Sequence, residues 1–149
     1  MAQLPENKVD ILLVEDNSDD VALTLNALKK ASLENKVTVL TDGTDALEYI
    51  LCRGKYAQRR INPASELILL DLNLPKLHGL DVLRQIKSDE RTKSVPVIIL
   101  TASQEERGVM QCYKLGAQGC IVKAFDFQRF TEAIAELPIS LLLLRKSDA

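Results

Sequence analysis

The 149-residue chain has no tryptophan, and Tyr and Phe together make up only 4% of it. Few rings are left on which nucleic-acid bases or sugars stack, so readers of single-stranded nucleic acid are disfavoured and the core must be aliphatic. Positive charge is not in excess either. Nineteen Lys and Arg against 21 Asp and Glu give a formal net charge of −2, which removes the counterion release that holds proteins on polyanions. No nucleic-acid partner is expected. Cys52, Cys112 and Cys120 form no C-x-x-C pair and His78 is the single histidine, so neither a disulfide framework nor a zinc site is readily built. A reducing, cytoplasmic setting fits this usage. The start MAQLPENKVD lacks the apolar stretch of a signal peptide, and runs such as Leu141–Leu144 fall far below the roughly 20 residues of a membrane helix. No membrane association is expected.

What is present is the composition of a globular domain, 46% hydrophobic and 27% charged, in a length that suits one domain. Short aliphatic runs alternate with amphipathic stretches, and no repeat or low-complexity linker interrupts them. Strands are predicted at Val9–Val14, Val37–Leu40, Leu67–Leu70, Val95–Leu100 and Gly119–Val122. Between them, helical spacing joins Val21, Leu25 and Leu28, then Ala46, Leu47, Ile50 and Leu51, then Val82, Leu83 and Ile86. A fourth helix is expected from about Gln104 to Leu115, ended by Gly116, and a last one begins near Asp126. Continuous rather than alternating apolar strands mean a parallel sheet covered on both faces, a doubly wound α/β fold.

In such folds ligands sit beyond the carboxyl ends of the strands. Those ends carry Glu15-Asp16, Asp71, Thr101 and Lys123. Taken singly, each is an ordinary helix cap or surface residue. Taken jointly, three carboxylates at one edge repel unless a cation lies among them, and an all-oxygen set suits hydrated Mg²⁺. Lys123 and the Thr101 hydroxyl match the extra oxygens of a phosphoryl group, which Asp71 would accept by attack on phosphorus.

The ordered set Val14-Glu15-Asp16-Asn17, Leu70-Asp71-Leu72-Asn73-Leu74-Pro75 with Gly79, Leu100-Thr101-Ala102 and Lys123 resembles the receiver domain of bacterial two-component response regulators. The likeness spans residues 9 to about 137. It implies the CheY-like, flavodoxin-type order 2-1-3-4-5 for five strands, with Asp71 taking phosphate from a histidine kinase. It further implies that Asp16, Asp71 and the Asn73 backbone carbonyl bind Mg²⁺ and that Glu15 assists through water. Thr101 would bond the phosphoryl group and Lys123 pair with it. A narrower likeness, carried by Arg53-Gly54-Lys55-Tyr56 to Pro63, LILLDLNLPK and IKSDERTKSVPVIILTAS, is to the stand-alone regulators of cyanobacterial phytochromes. That resemblance implies a bilin-binding sensor kinase as partner and a single receiver over residues 1–149, with no room for a DNA-binding output domain.

Three positions depart from the family pattern. Cys120 stands where the resemblance places a switching Tyr or Phe, and is expected to be a small buried core residue, as are Cys52 and Cys112. Ala124 stands where proline is usual, which would leave Lys123 less well aimed. His78 replaces a frequent Asp and is expected at an exposed loop or cap position. The basic run Arg53, Lys55, Arg59 and Arg60 reads as a solvated loop. Residues 138–149, with Ser140 the only polar residue from Ile139 to Leu144, form an apolar extension expected to mediate a homodimer. The rival class is an aspartyl-phosphate phosphatase of haloacid-dehalogenase type. It requires a second acid two residues after the nucleophile, where this chain has Asn73.

Overall fold

Uninterrupted aliphatic runs become the strands of one sheet, and the three central strands are buried on both sides. The computed structural model describes residues 10–30, 36–102, 108–123, 128–129 and 132–133. The strands are β1 (Asp10–Val14), β2 (Lys36–Leu40), β3 (Glu66–Asp71), β4 (Val97–Thr101) and β5 (Gly119–Val122). All neighbours are parallel and the order is β2-β1-β3-β4-β5, as the resemblance implied. Helices α1 (Ser18–Lys30), α2 (Gly43–Ile50), α3 (Gly79–Ser88) and α4 (Val109–Leu115) cover the two faces.

Side-chain alternation along each strand divides the core in two. Leu12, Val14, Ile68, Leu70, Val97 and Ile99 meet α2, α3 and α4 through Leu47, Ile50, Val82, Leu83, Ile86 and Cys112. Ile11, Leu13, Leu67, Leu69, Ile98 and Leu100 meet α1 through Ala27 and Leu28. The α1 stripe is narrower than predicted: Thr24, Ala27 and Leu28 are buried, while Val21 and Leu25 only flank the core.

Caps fix where the helices start. Asn17 Oδ1 accepts the Asp20 N–H at 3.0 Å, Asp42 Oδ1 accepts that of Asp45 at 2.7 Å, and His78 Nδ1 accepts that of Leu80 at 3.1 Å. His78 is thus a cap, as expected. Gly116 closes α4 at φ 107°, also as expected. The predicted stretch for α4 was longer. The described helix starts at Val109 after Gly108 at φ 99°, and residues 103–107 lie outside the described residues. Strand β4 begins at Val97 rather than Val95, because Pro96 has no N–H to add to a ladder; its carbonyl accepts from Ile68 N at 3.0 Å. The last helix is seen only as helical residues 128–129 and 132–133, and the 138–149 extension and its expected dimer contact lie outside the described residues.

In the basic segment after α2, Arg53, Lys55 and Arg60 are exposed as a solvated loop would have them, and Arg59 alone is drawn in. The segment folds into 3₁₀ turns at Gly54–Tyr56 and Pro63–Ser65. Arg59 lies over the Tyr49 ring, 3.9 Å from its centroid, pairs with buried Glu66 at 3.0 Å, and donates to the Tyr49 carbonyl at 2.8 Å. Glu66 Oε2 also accepts the Asn62 N–H at 2.7 Å. One guanidinium therefore organises the connection into β3.

Arg59→Ala strands the Glu66 carboxylate and should destabilise the fold by about 2–4 kcal/mol in urea denaturation; a change under about 0.5 kcal/mol would show the pair to be dispensable. Gly79 begins α3 against the end of β3, where an added Cβ would collide with the Asp71 carbonyl and lie 2.8 Å from Leu72 Cα. Gly79→Ala is accordingly expected to cost about 1–3 kcal/mol by the same measurement, and a silent substitution would refute this close approach.

Candidate functional site

The register gathers the polar strand ends. Val14 pairs with Leu70, so Glu15 and Asp71 leave adjacent strands side by side. Asp71 pairs with Leu100 and Thr101 with Val122, which brings Thr101 and Lys123 to the same edge. The Lys123 N–H donates to the Thr101 carbonyl at 2.7 Å, extending the ladder by one bond and setting the root of the lysine side chain. Oxygens of Glu15, Asp16 and Asp71 lie within 4.8 Å of one another, Asp16 being the exposed member. Glu15 and Thr101 are fully buried and Asp71 is 3% exposed. The Asn73 N–H donates to Asp71 Oδ1 at 3.2 Å, and the Asn17 N–H to Glu15 Oε2 at 3.3 Å.

Lys123 Nζ reaches Glu15 Oε1 and Asp20 Oδ2 at 3.0 Å each, and Asp71 Oδ1 at 3.4 Å. Burial disfavours its charge, yet the hydrogen bond to Asp20 and the charges of Asp71 and Glu15 outweigh this and hold its pKa above the usual lysine range. Glu15 shows the opposite strain. Burial first, then the adjoining Asp71, push its carboxyl up from 4.5 to about 7, against the pull of Lys123. One ammonium does not neutralise this edge, and the hard oxygen donors are of the kind that hold Mg²⁺ or Mn²⁺. The residues present therefore fit a divalent cation, with Asp16 and Asp71 the available carboxylates and both Glu15 oxygens already engaged by protein donors.

Every expected site residue, Glu15, Asp16, Asp71, Asn73, Thr101 and Lys123, falls at this edge. Asp20 was missed. Its signal was local: Asn17 caps α1 and so places residue 20 in the first helical turn, facing back to the strand ends. Cys120 is half-buried against the core rather than fully enclosed, and Cys52, at φ 57°, is half-buried too; only Cys112 is buried. Cys52 follows the end of α2 and Cys120 lies within β5, an edge strand of the sheet, so packing closes over one side only. Ala124 lies outside the described residues.

Glu15 sets a pH dependence whose sign follows from its raised pKa. The folded chain holds this proton more tightly than the unfolded one, so the stability it contributes is full below about 4.5 and is lost as pH rises through about 7. With chelator present, urea midpoints should fall between pH 5 and 7.5, and Glu15→Gln should flatten that fall. Equal slopes in the two proteins would contradict the assignment.

A family model for the response regulator receiver domain matches residues 11–135. Response regulator Rcp1 of Synechocystis sp. is 38% identical over 114 residues, covering 76% of this chain and 76% of that protein. The crystal structure of the phosphorylated cyanobacterial phytochrome response regulator RcpA superposes with a TM-score of 0.77 at 34% identity, over 88% of this chain and 91% of that one. The Mn²⁺-bound form of Rcp1 gives the same TM-score at 33% identity, over 90% and 94%. No helix among the described residues is long and apolar enough to cross a membrane. Five parallel strands in this order, their acidic edge and these likenesses together make the chain a member of the response regulator receiver family of two-component signalling, close to the phytochrome response regulators.

Proposed function

We propose that the protein is a single-domain response regulator that accepts a phosphoryl group on Asp71 from a sensor histidine kinase and passes the signal on by protein contact. The observation that carries this reading is the placement of a buried Asp71 carboxylate 3.4 Å from the Lys123 ammonium and beside two further acids. An Asp71 oxygen attacks the phosphorus of a phosphohistidine. The P–O bond forms as the P–N bond breaks, and the electron pair returns to the imidazole nitrogen, which takes up a proton. Lys123 pairs with the added phosphoryl oxygens, and the Thr101 hydroxyl donates to them.

Asp16, Asp71 and the Asn73 backbone carbonyl would hold Mg²⁺, with Glu15 acting through water because its oxygens are committed to Lys123 and Asn17. The cation, when bound, supplies positive charge that offsets both the carboxylates and the incoming phosphate. The Mn²⁺-bound form of the related Rcp1 supports a divalent ion here. A cyanobacterial phytochrome is the proposed kinase, since the phosphorylated relative RcpA is a phytochrome response regulator. Residues 138–149 are proposed to supply a homodimer contact, and the cytoplasm is the proposed setting. Receiver domains are signalling modules rather than enzymes. With Asn73 where a phosphatase needs its general acid, the phosphorylated form should lose phosphate slowly instead of turning over.

Incubation with acetyl phosphate and Mg²⁺ should add one phosphoryl group, read by intact mass, and Asp71→Asn should add none. Wild type left unmodified would overturn the proposal, as would an Asp71→Asn protein modified equally well.

A further inference from the structure

We propose that Asp20 is a positioning residue that aims Lys123 at the phosphoryl pocket, an inference that rests on Asp71 being the phosphoacceptor. An ammonium has three N–H donors, and Lys123 Nζ faces three carboxylates: Glu15 and Asp20 at 3.0 Å and Asp71 at 3.4 Å. Two of these partners have other duties. Glu15 and Asp71 belong, with Asp16, to the cluster of oxygens able to hold a cation; Asp20 does not. On the proposed reading Asp71 takes the phosphoryl group and Glu15 reaches the cation through water, so Asp20 is the partner of the three with no part in binding either.

The anchor is well placed for that task. Lysine carries its charge on a flexible four-carbon stem, so fixing the root leaves the tip free to wander. The root is set by the bond from Lys123 N to the Thr101 carbonyl. The tip is set from the opposite side by Asp20, whose own backbone is held by the Asn17 cap at the start of α1. The side chain of Lys123 is only 14% exposed and that of Asp20 32%, so this bond is shielded from water more than an ordinary surface pair.

The alternative role for Asp20 is a helix-dipole charge in the first turn of α1. Asp19 provides the matched control, because it lies in the same turn, is exposed, and has no ion pair among the described residues. Removing either acid takes one negative charge from the same helix end. Only Asp20 touches Lys123.

The full chain and its variants Asp20→Asn, Asp20→Glu and Asp19→Asn are to be phosphorylated with acetyl phosphate and Mg²⁺. Rates are followed by intact mass, and Mg²⁺ affinity is titrated separately. Asp20→Asn should slow phosphorylation about tenfold, as loss of an orienting partner does, while Mg²⁺ affinity changes by less than about threefold. Asp20→Glu should recover most of the rate, and Asp19→Asn should match wild type. In a Lys123→Ala background, Asp20→Asn should have no added effect, since there is no lysine left to aim. An unchanged rate in Asp20→Asn, an equal loss in Asp19→Asn, or a loss that persists without Lys123 would each overturn the proposal while Asp71 still took phosphate. Wild type that takes none overturns the phosphoacceptor reading and this one with it.

Discussion

The crowding of like charges at one buried edge governs this molecule. Glu15, Asp16, Asp20 and Asp71 converge where parallel strands end, and Lys123 pairs with three of them. Burying several carboxylates around a single ammonium costs more than the pairing returns, so the edge stays hungry for further positive charge. The raised carboxyl of Glu15 is the visible symptom. A divalent cation would relieve the excess, and in the proposed phosphotransfer it would let a phosphoryl group approach a site that otherwise repels it.

The scaffold exists to hold that unfavourable arrangement in place. Each strand is tied on one or both sides by parallel ladders, and two aliphatic layers press on the sheet from opposite faces. Gly79 lets α3 start directly against the Asp71 backbone, and Asn17 and His78 set where the flanking helices begin. At the beginning of β3, the other end of the same strand, Arg59 stacked on Tyr49 and paired with Glu66 clamps the incoming chain. The strand bearing the candidate phosphoacceptor is therefore held at its entry by one ion pair and at its exit by the close approach of α3 at Gly79.

Sheet and helix positions were legible because they depend on local pattern: aliphatic runs for strands, helical spacing for Ala46, Leu47, Ile50, Val82, Leu83 and Ile86, and a terminal Gly116. Legibility failed where a residue's role depends on a partner far along the chain. Arg59 looked like one charge in a basic run until Tyr49 and Glu66 closed around it. Asp20 drew no role in the sequence because its partner, Lys123, lies 103 residues later and only folding brings it to 3.0 Å. Cys120 looked like a core residue, yet packing covers only part of it.

By itself the sequence determined which residues end the strands and that these are acids, a hydroxyl and a lysine. The alternation of apolar runs and helical stripes forces a doubly wound sheet, and such a sheet puts all its strand ends on one side. Tertiary structure alone decided which of those groups touch. Register placed Glu15 beside Asp71, and the cap on α1 turned Asp20 toward Lys123. Contacts at hydrogen-bond distance depend on how elements are set against one another, and no local pattern in a chain encodes that setting residue by residue.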